Sequence, residues 1–420
     1  GTDIASFLEN GECEKRVSYK EFLNSEDEYV NSEKYLKDKE FWNEYLDGIE
    51  ETVSLKETKE NIKNEAKRYS IKLSKEENDA INSFCKENRV SVFSLFLGAL
   101  STYIYRIKDK NDFVIGTPIL NRSNFKEKQI LGMFISTIPL RIKIEENQKF
   151  IDVVKNISSN TMNVFRHQKY PYSKILEDVR KNTSLKDNLY NVILSYQNAR
   201  AKLIDNDKYS TSWIFNEVLN DQLQIHVTDM DNTGNLLINY DYLKDAFEND
   251  EVEYIHTRLM AIIKNAIKDI DIDVENIDIM SDEEKNKIIY EFNNTTTNYP
   301  KDKTVIELFE EQVTKTPDNV ALVFEDKAIT YKELNEKANM LALKLQKSIV
   351  EKEIKSKNIG VLISDKKDAI ISILSIMKIG ATFVPIDVNY PVERIENIIR
   401  LANIEICFNN LNTFDVSALN

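Results

Sequence analysis

Residues 375–395 carry the pattern that most restricts how this chain can fold. An apolar helix end runs into Gly380, an extended apolar stretch over 382–386 follows, and Pro391 opens a further helical pattern. Gly380 suits the left-handed position just past a helix, because it has no Cβ to clash there. Pro391 suits a first helical position, where its missing N–H is not needed. With apolar 359–364 ahead of it, the stretch predicts a strand–helix–strand unit. Such a unit needs a crossover, so its strands lie parallel in an open sheet with helices packed against it.

The flanking sequence agrees with an α/β reading. Thr304-x-x-Glu307 and Thr330-x-x-Glu333 are capping boxes that start helices, the second running to about residue 346. Residues 320–324 and 328–331 flank Glu325-Asp326-Lys327 as a hairpin, and 404–408 reads as a strand. Upstream, 293–300 is polar, without period and ended by Pro300. It reads as a linker, within an interdomain segment 276–300 that includes a short helix begun by Ser281-x-x-Glu284. The second domain therefore begins at 301.

The first 275 residues form a separate block. Ser18-x-x-Glu21 predicts one long amphipathic helix with Phe22, Leu23, Tyr29, Tyr35, Leu36, Phe41, Trp42, Tyr45 and Leu46 on its apolar side, stopped by Gly48. Residues 68–73 read as a strand, and Ser74-x-x-Glu77 caps the next helix. After Ser91, residues 92–107 are apolar nearly all round, which predicts a buried core helix. A strand over 112–120 contains Gly116-Thr117-Pro118, and 130–144 is an extended run punctuated by Gly132 and Pro139. Residues 150–165 have helical period, and Pro171 sits in the first turn of the helix after it. A strand is predicted over 191–198. The segments 222–229 and 235–242 alternate around Asp231-Asn232-Thr233-Gly234, a hairpin signal. A helix over 252–268 closes the block.

Composition excludes several classes. At 420 residues, two or three domains are expected. A net charge of −14 argues against a broad nucleic-acid-binding surface. The most apolar run, 92–105, is about 14 residues against the roughly 20 that a spanning helix needs, so no membrane partner is expected. Cys13, Cys85 and Cys407 are odd in number and without a Cys-x-x-Cys pair, which fits neither a disulfide framework nor a zinc site and favours a reducing, cytoplasmic setting. The start at Gly1 shows no signal-peptide pattern, and both ends are expected to be cut points in a longer protein.

The three histidines, His167, His226 and His256, are separated from one another and from acids at ligand spacing, and a structural role is expected for each. No glycine-rich phosphate loop, Gly-x-Ser-x-Gly elbow or His-Glu-x-x-His pair occurs. The residues alone assemble no complete catalytic constellation.

Particular motifs carry a sharper reading. Thr304 to Gln312 (Thr-Val-Ile-Glu-Leu-Phe-Glu-Glu-Gln), Thr316-Pro317-Asp318, Ile329-Thr330-Tyr331-Lys332-Glu333-Leu334 and the 375–395 stretch with Gly380, Pro385, Asp387, Pro391 and Arg394 resemble the start of an adenylation (AMP-binding) domain. Phe41-Trp42, Ile115-Gly116-Thr117-Pro118 with Asn121-Arg122, Gly132 through Arg141, His167 through Pro171 and Tyr172, and Asn188 through Asn198 resemble a condensation domain, chiefly its C-terminal lobe, similar in fold to chloramphenicol acetyltransferase. Departures are mild: Leu120-Asn121 stands where the family often has Ala-Gly, Ser136 where it usually has Asn, and Lys169 where it is usually acidic.

The order resembles an elongation module of a nonribosomal peptide synthetase. The resemblance implies amide-bond formation between carrier-bound thioesters, with carrier-protein domains bearing phosphopantetheine and the rest of the synthetase as partners. It also implies amino-acid activation by ATP and magnesium in the parent module. The family's His-His-x-x-x-Asp-Gly motif, whose second His is assigned as base or positioning group, is not in this sequence; neither are its ATP phosphate loop and catalytic Lys. The fragment alone is therefore expected to bind no cofactor and to be inactive. The resemblance places Gln197 and Asn198 along the central channel, and makes Ser136, Thr137 and Arg141 structural. A stand-alone acyltransferase with a diffusible acceptor and a non-catalytic docking piece remain the alternatives. An epimerisation domain is disfavoured by the adenylation-like residues after 300.

Overall fold

In the computed structural model, residue 11 and residues 17–57, 63–122, 124–197, 214–229, 235–324, 327–363, 365–409 and 412–416 are described. The chain divides into two compact units, Gly1–Asn294 and Thr295–Asn420.

The first unit begins with α1 (Tyr19–Val30) and α2 (Glu33–Tyr45). The single long helix expected from the apolar pattern is thus two helices. Asn31-Ser32 supplies the break: Asn31 ends α1, and the Ser32 hydroxyl accepts from the Tyr35 N–H as a second N-cap. Ser18 does cap α1, but it accepts from Lys20 N rather than Glu21 N, so the expected capping box is not closed. The next elements are β1 (Ala66–Lys72), α3 (Lys75–Asn88), α4 (Val92–Lys108), β2 (Asp112–Ile119) and the short α5 (Phe125–Gln129). Then come β3 (Ser136–Lys143), α6 (Phe150–Phe165), α7 (Tyr172–Asn182), β4 (Val192–Gln197), β5 (Leu223–Thr228), β6 (Leu237–Leu243) and α8 (Asn249–Lys268).

Six strands form one mixed sheet in the order β1-β6-β5-β4-β2-β3. β4 runs parallel to β5 and β2, and the other pairs are antiparallel. Helix α4, buried from Ser94 to Ile104, packs between α6 and α8 and against β4, as its apolar-all-round sequence requires. The stretch before β3 is not strand, because Arg122 gathers the carbonyls of Ile130 (2.7 Å) and Gly132 (3.0 Å) and holds it as a loop. Asn121 adopts φ 49°, the left-handed region that Asn tolerates, which explains how it can stand where the family often has Gly. Pro171 precedes α7 in extended conformation as its N-cap, one place earlier than expected. The β5–β6 pairing agrees with the predicted hairpin, whose turn residues 231–234 lie outside the described residues.

Beyond α8, Ser281 caps α9 (Asp282–Asn286), and the buried Glu284 accepts from Arg258 at 2.5 Å. Residues 294–300 are exposed and without regular structure.

The second unit contains α10 (Val305–Lys315), the antiparallel pair β7 (Val320–Phe324) and β8 (Lys327–Thr330), and α11 (Tyr331–Glu351), which extends past the expected end near 346. β9 (Asn358–Val361), α12 (Lys366–Lys378) and β10 (Thr382–Pro385) make the predicted strand–helix–strand unit with parallel strands. Next come α13 (Val392–Leu401), β11 (Ile406–Asn409) and β12 (Asn412–Asp415), giving a four-stranded sheet in the order β10-β9-β11-β12. Gly380 takes φ 73° just beyond α12, with its N–H on the Met377 carbonyl. Pro391 is extended at the N-cap of α13, again one place before the expected first helical position.

Gly360 on β9 faces Cys407 on β11 in register, and a Cβ there would fall well inside van der Waals contact of Cys407 Sγ. Gly360→Ala is expected to cost about 1–3 kcal/mol by overpacking, measured by chemical denaturation. Pairing it with Cys407→Ala should recover more than half of that loss. A double variant no more stable than Gly360→Ala would refute the steric account.

Candidate functional site

Three constellations gather the motif residues of the first unit. In the first, α2 places Asp38 one turn before Phe41 and Trp42, so these side chains converge on His167 at the end of α6. Asp38, with no exposed surface, receives the Tyr29 hydroxyl at 2.8 Å, Lys34 Nζ at 3.0 Å and His167 Nδ1 at 2.7 Å. Phe41 stacks on the imidazole with centroids 3.9 Å apart, and Trp42 Nε1 donates to the His167 carbonyl at 3.0 Å. Burial, then the bond to Asp38, holds the Tyr29 phenol far above its ordinary range, so it remains a donor. His167 lies 129 residues from Asp38 in the sequence, a distance across which no spacing rule gives a signal. Beyond it, Tyr170 donates to the buried Asp178 at 2.6 Å and Pro171 starts α7.

The second constellation surrounds Arg141 on β3. Its Nε and Nη2 form a two-point pair with Asp112 at 2.7 and 2.6 Å. Its Nη1 donates to the carbonyls of Tyr45 (3.0 Å) and Asp47 (2.7 Å). The Tyr45 hydroxyl accepts from Arg141 N and Asn160 Nδ2, and burial dominates in pushing its pKa up to about 12. The guanidinium is thus engaged in tying α2 to β2 and β3, beside an open cavity of about 410 Å³.

The third lies where β2 meets β4. Gly116 pairs with Ile193 under the Tyr190 ring, which leaves no room for a Cβ. Thr117 Oγ1 donates to the Leu194 carbonyl at 2.9 Å, and Pro118 pairs with Thr137. Gln197 ends β4 half-buried, whereas Asn198 lies outside the described residues. The structure therefore brings Gly116, Thr117, Pro118 and Gln197 into one region of the sheet, with Arg141 and His167 in separate clusters. His226 was unremarkable in sequence as a lone histidine in an alternating strand. It hydrogen-bonds Ser195 and faces Asp241, partners that only the strand order supplies.

In the second unit the motif residues occupy turns and packing positions. Glu333 closes the capping box with Thr330, Tyr331 packs near Phe309, and Leu334 lies in the core. Asp387 Oδ1 accepts from Asn389 N, and Arg394 stacks over Tyr390 at 4.2 Å, which fixes the turn after Pro385. Among the described residues, no group of three His, Cys, Asp or Glu side chains could hold a metal ion. Cys85 and Cys407 are buried free thiols, while Cys13 lies outside the described residues. No single described helix is long and apolar enough to cross a membrane.

A condensation-domain family model matches residues 5–289, and an AMP-binding-enzyme model matches residues 309–419. Surfactin synthase subunit 1 of Bacillus subtilis is 36% identical over 383 residues, covering 91% of this chain and 11% of that protein. Gramicidin S synthase 2 of Brevibacillus brevis is 28% identical over 393 residues, covering 92% of this chain and 9% of the relative. The chain thus spans a small part of these curated relatives. A four-domain nonribosomal peptide synthetase structure, in its holo form with AMP and glycine, superposes with a TM-score of 0.69 at 19% identity. It covers 90% of this chain and 30% of that one. The starter condensation domain of a rhizomide synthetase gives a TM-score of 0.58 at 18% identity, covering 66% of this chain and 63% of that one. Both show a shared fold.

Proposed function

Because this chain belongs to the condensation-domain family and continues directly into an AMP-binding portion, we propose that it forms part of an elongation module of a nonribosomal peptide synthetase. The order of the two matched segments, with an exposed connector between them, is the observation that carries this reading. A stand-alone acyltransferase with a diffusible acceptor does not account for residues 309–419.

In the reaction, the amine of one carrier-bound aminoacyl thioester attacks the carbonyl of an upstream acyl thioester. A C–N bond forms, the C–S bond breaks, and the amine proton passes to the departing thiolate. A histidine near the attacking amine suits this work, since imidazole can exchange a proton near neutral pH. No His-His pair occurs in these 420 residues, so the chain supplies the scaffold and channel wall rather than that histidine. Carrier domains bearing phosphopantetheine are the proposed partners, and ATP with magnesium serves amino-acid activation in the wider module. Neither has an assigned site on the described residues.

Two measurements test this. The 420-residue chain is expected to give no amino-acid-dependent exchange of pyrophosphate into ATP; exchange above background would overturn the assignment of the activation chemistry to residues outside it. A module-length protein that contains this chain is expected to form an amide from two carrier-bound thioesters. Transfer only to a free small-molecule acceptor would favour an acetyltransferase-like enzyme instead.

A further inference from the structure

The last stretch of the first unit is fastened in two stages of unequal strength. Up to Asp278 it belongs to the core. Val274 and Ile277 are buried, and Arg106 Nη1 on α4 donates to their carbonyls at 3.3 and 2.7 Å. Asn265 Nδ2 on α8 donates to the Asp278 carbonyl at 2.8 Å. The chain that follows is α9, continued by a π-helical turn over Lys287–Glu291, and it is held differently. Its one buried side chain is Glu284. Ile288, Ile289, Tyr290 and Phe292 are 43 to 68% exposed, so apolar burial does little to keep the segment in place.

Polar contacts hold it instead. Arg258 on α8 reaches Glu284 with Nη2 at 2.5 Å and Nε at 3.3 Å. Lys285 pairs with Asp278, and Lys287 Nζ donates to the Tyr254 hydroxyl at 3.1 Å. Asn293 Nδ2 closes the end on the carbonyls of Ile288 (3.2 Å) and Ile289 (2.8 Å). A helix of about ten residues is marginal by itself in water, because so few bonds barely offset the cost of nucleation. The segment therefore persists through its side-chain contacts to the rest of the unit. Arg258–Glu284 weighs most among them, being a two-point pair on a buried carboxylate. The Lys285 and Lys287 contacts lie further out, where solvent weakens them.

The interdomain segment expected over 276–300 is thus fastened as far as Asn294. Beyond it the residues are exposed and form neither helix nor strand until the capping box of Thr304. We propose that residues 282–292 are a releasable strap and that Arg258–Glu284 is its catch. With the catch closed, the free connector to the second unit is 295–303. With it open, the connector begins after Asp278 and has about 25 residues in place of about nine. The span of a flexible connector grows as the square root of its length, here about 1.7-fold. The catch therefore sets the reach of the connector. The inference uses only contacts within the first unit and does not depend on the condensation reading.

Limited trypsin digestion of the 420-residue chain, with each cut located by mass spectrometry, tests it. In wild type, cleavage after Lys301 should be at least about 10-fold faster than after Lys285 or Lys287. Arg258→Gln opens the catch and leaves the sequence around the cut sites unaltered. It should speed cleavage after Lys285 and Lys287 about 10-fold or more, with the Lys301 rate unchanged. Glu284→Gln should do the same from the other side of the pair. Unchanged cleavage after Lys285 and Lys287 in both variants, or wild-type cleavage there as fast as after Lys301, would overturn the proposal. Hydrogen exchange in wild type decides the matter should the variants fail to fold. Amides of 285–291 should exchange through a local opening that is nearly independent of low urea, since it exposes little surface, whereas those of α8 should depend on urea steeply. Strap amides that open only together with α8, with the same urea dependence, would rule out a separate release.

Discussion

Lowering the pH from 7 to 4 is expected to remove about 3 kcal/mol of stability from the first unit through His256 alone. This histidine is 6% exposed on α8, and burial depresses its pKa from 6.5 to about 4, with Glu77 opposing weakly. The Tyr240 hydroxyl, itself buried, is hydrogen-bonded to its Nδ1 at 2.9 Å. The unfolded chain takes up a proton near pH 6.5, where the folded one does not. Stability from this group is therefore complete above about 6.5 and is lost as pH falls towards 4. His256→Asn keeps a polar atom at the Nδ1 position within reach of the Tyr240 hydroxyl but cannot titrate. Urea unfolding at several pH values should show a slope between pH 6.5 and 4 that is shallower in the variant by up to about 1.4 kcal/mol per pH unit. The remaining carboxylates titrate alike in both proteins, so superimposable slopes would sink this account.

Asp38→Ala should cost about 2–4 kcal/mol, since it strands the Tyr29 hydroxyl and His167 Nδ1 without their acceptor in a closed environment. The loss is large because three donors from different parts of the chain meet on one carboxylate. Lys34 contributes least, as its side chain is 54% exposed. Asp38→Asn retains one acceptor oxygen and should recover part of the loss. His167 should also loosen against Phe41, which the ring signals of the histidine would report. Stability within about 0.5 kcal/mol of wild type for Asp38→Ala would mean that water replaces the carboxylate without penalty.

Both sites illustrate how far the sequence reaches. The capping boxes at Ser74, Thr304 and Thr330 are closed as their spacing requires, because a cap is a bond between residues three apart. The long amphipathic pattern of 19–46 misled at Asn31-Ser32, where apolar period continued through two residues that prefer caps to helix interior. Periodicity reports an apolar face, but the break leaves Leu23 and Leu36 of that pattern exposed while Tyr29, Trp42 and Leu46 are buried. The extended run before β3 misled for another reason: Arg122 captures its carbonyls, a side-chain bond that no β-propensity records.

The candidate site was legible as motif residues and hardly at all as chemistry. Gly116, Thr117, Pro118, Arg141 and His167 could be found by their neighbours in sequence, but not what they hold. Arg141 finds Asp112 because β2 and β3 are antiparallel with Val114 opposite Arg141, and His167 finds Asp38 because α2 lies beside the end of α6.

The sequence by itself determined the caps at Ser74, Thr304 and Thr330, the fully apolar α4, the left-handed turn at Gly380 and the parallel β9–α12–β10 crossover, each governed by forces acting over a few residues. Tertiary structure alone decided that Ser195, His226, Asp241 and Arg68 stand in line, although Arg68 and Asp241 are 173 residues apart. Which side chains share a sheet face depends on strand order and register, and these are set by how the whole core packs rather than by any local preference.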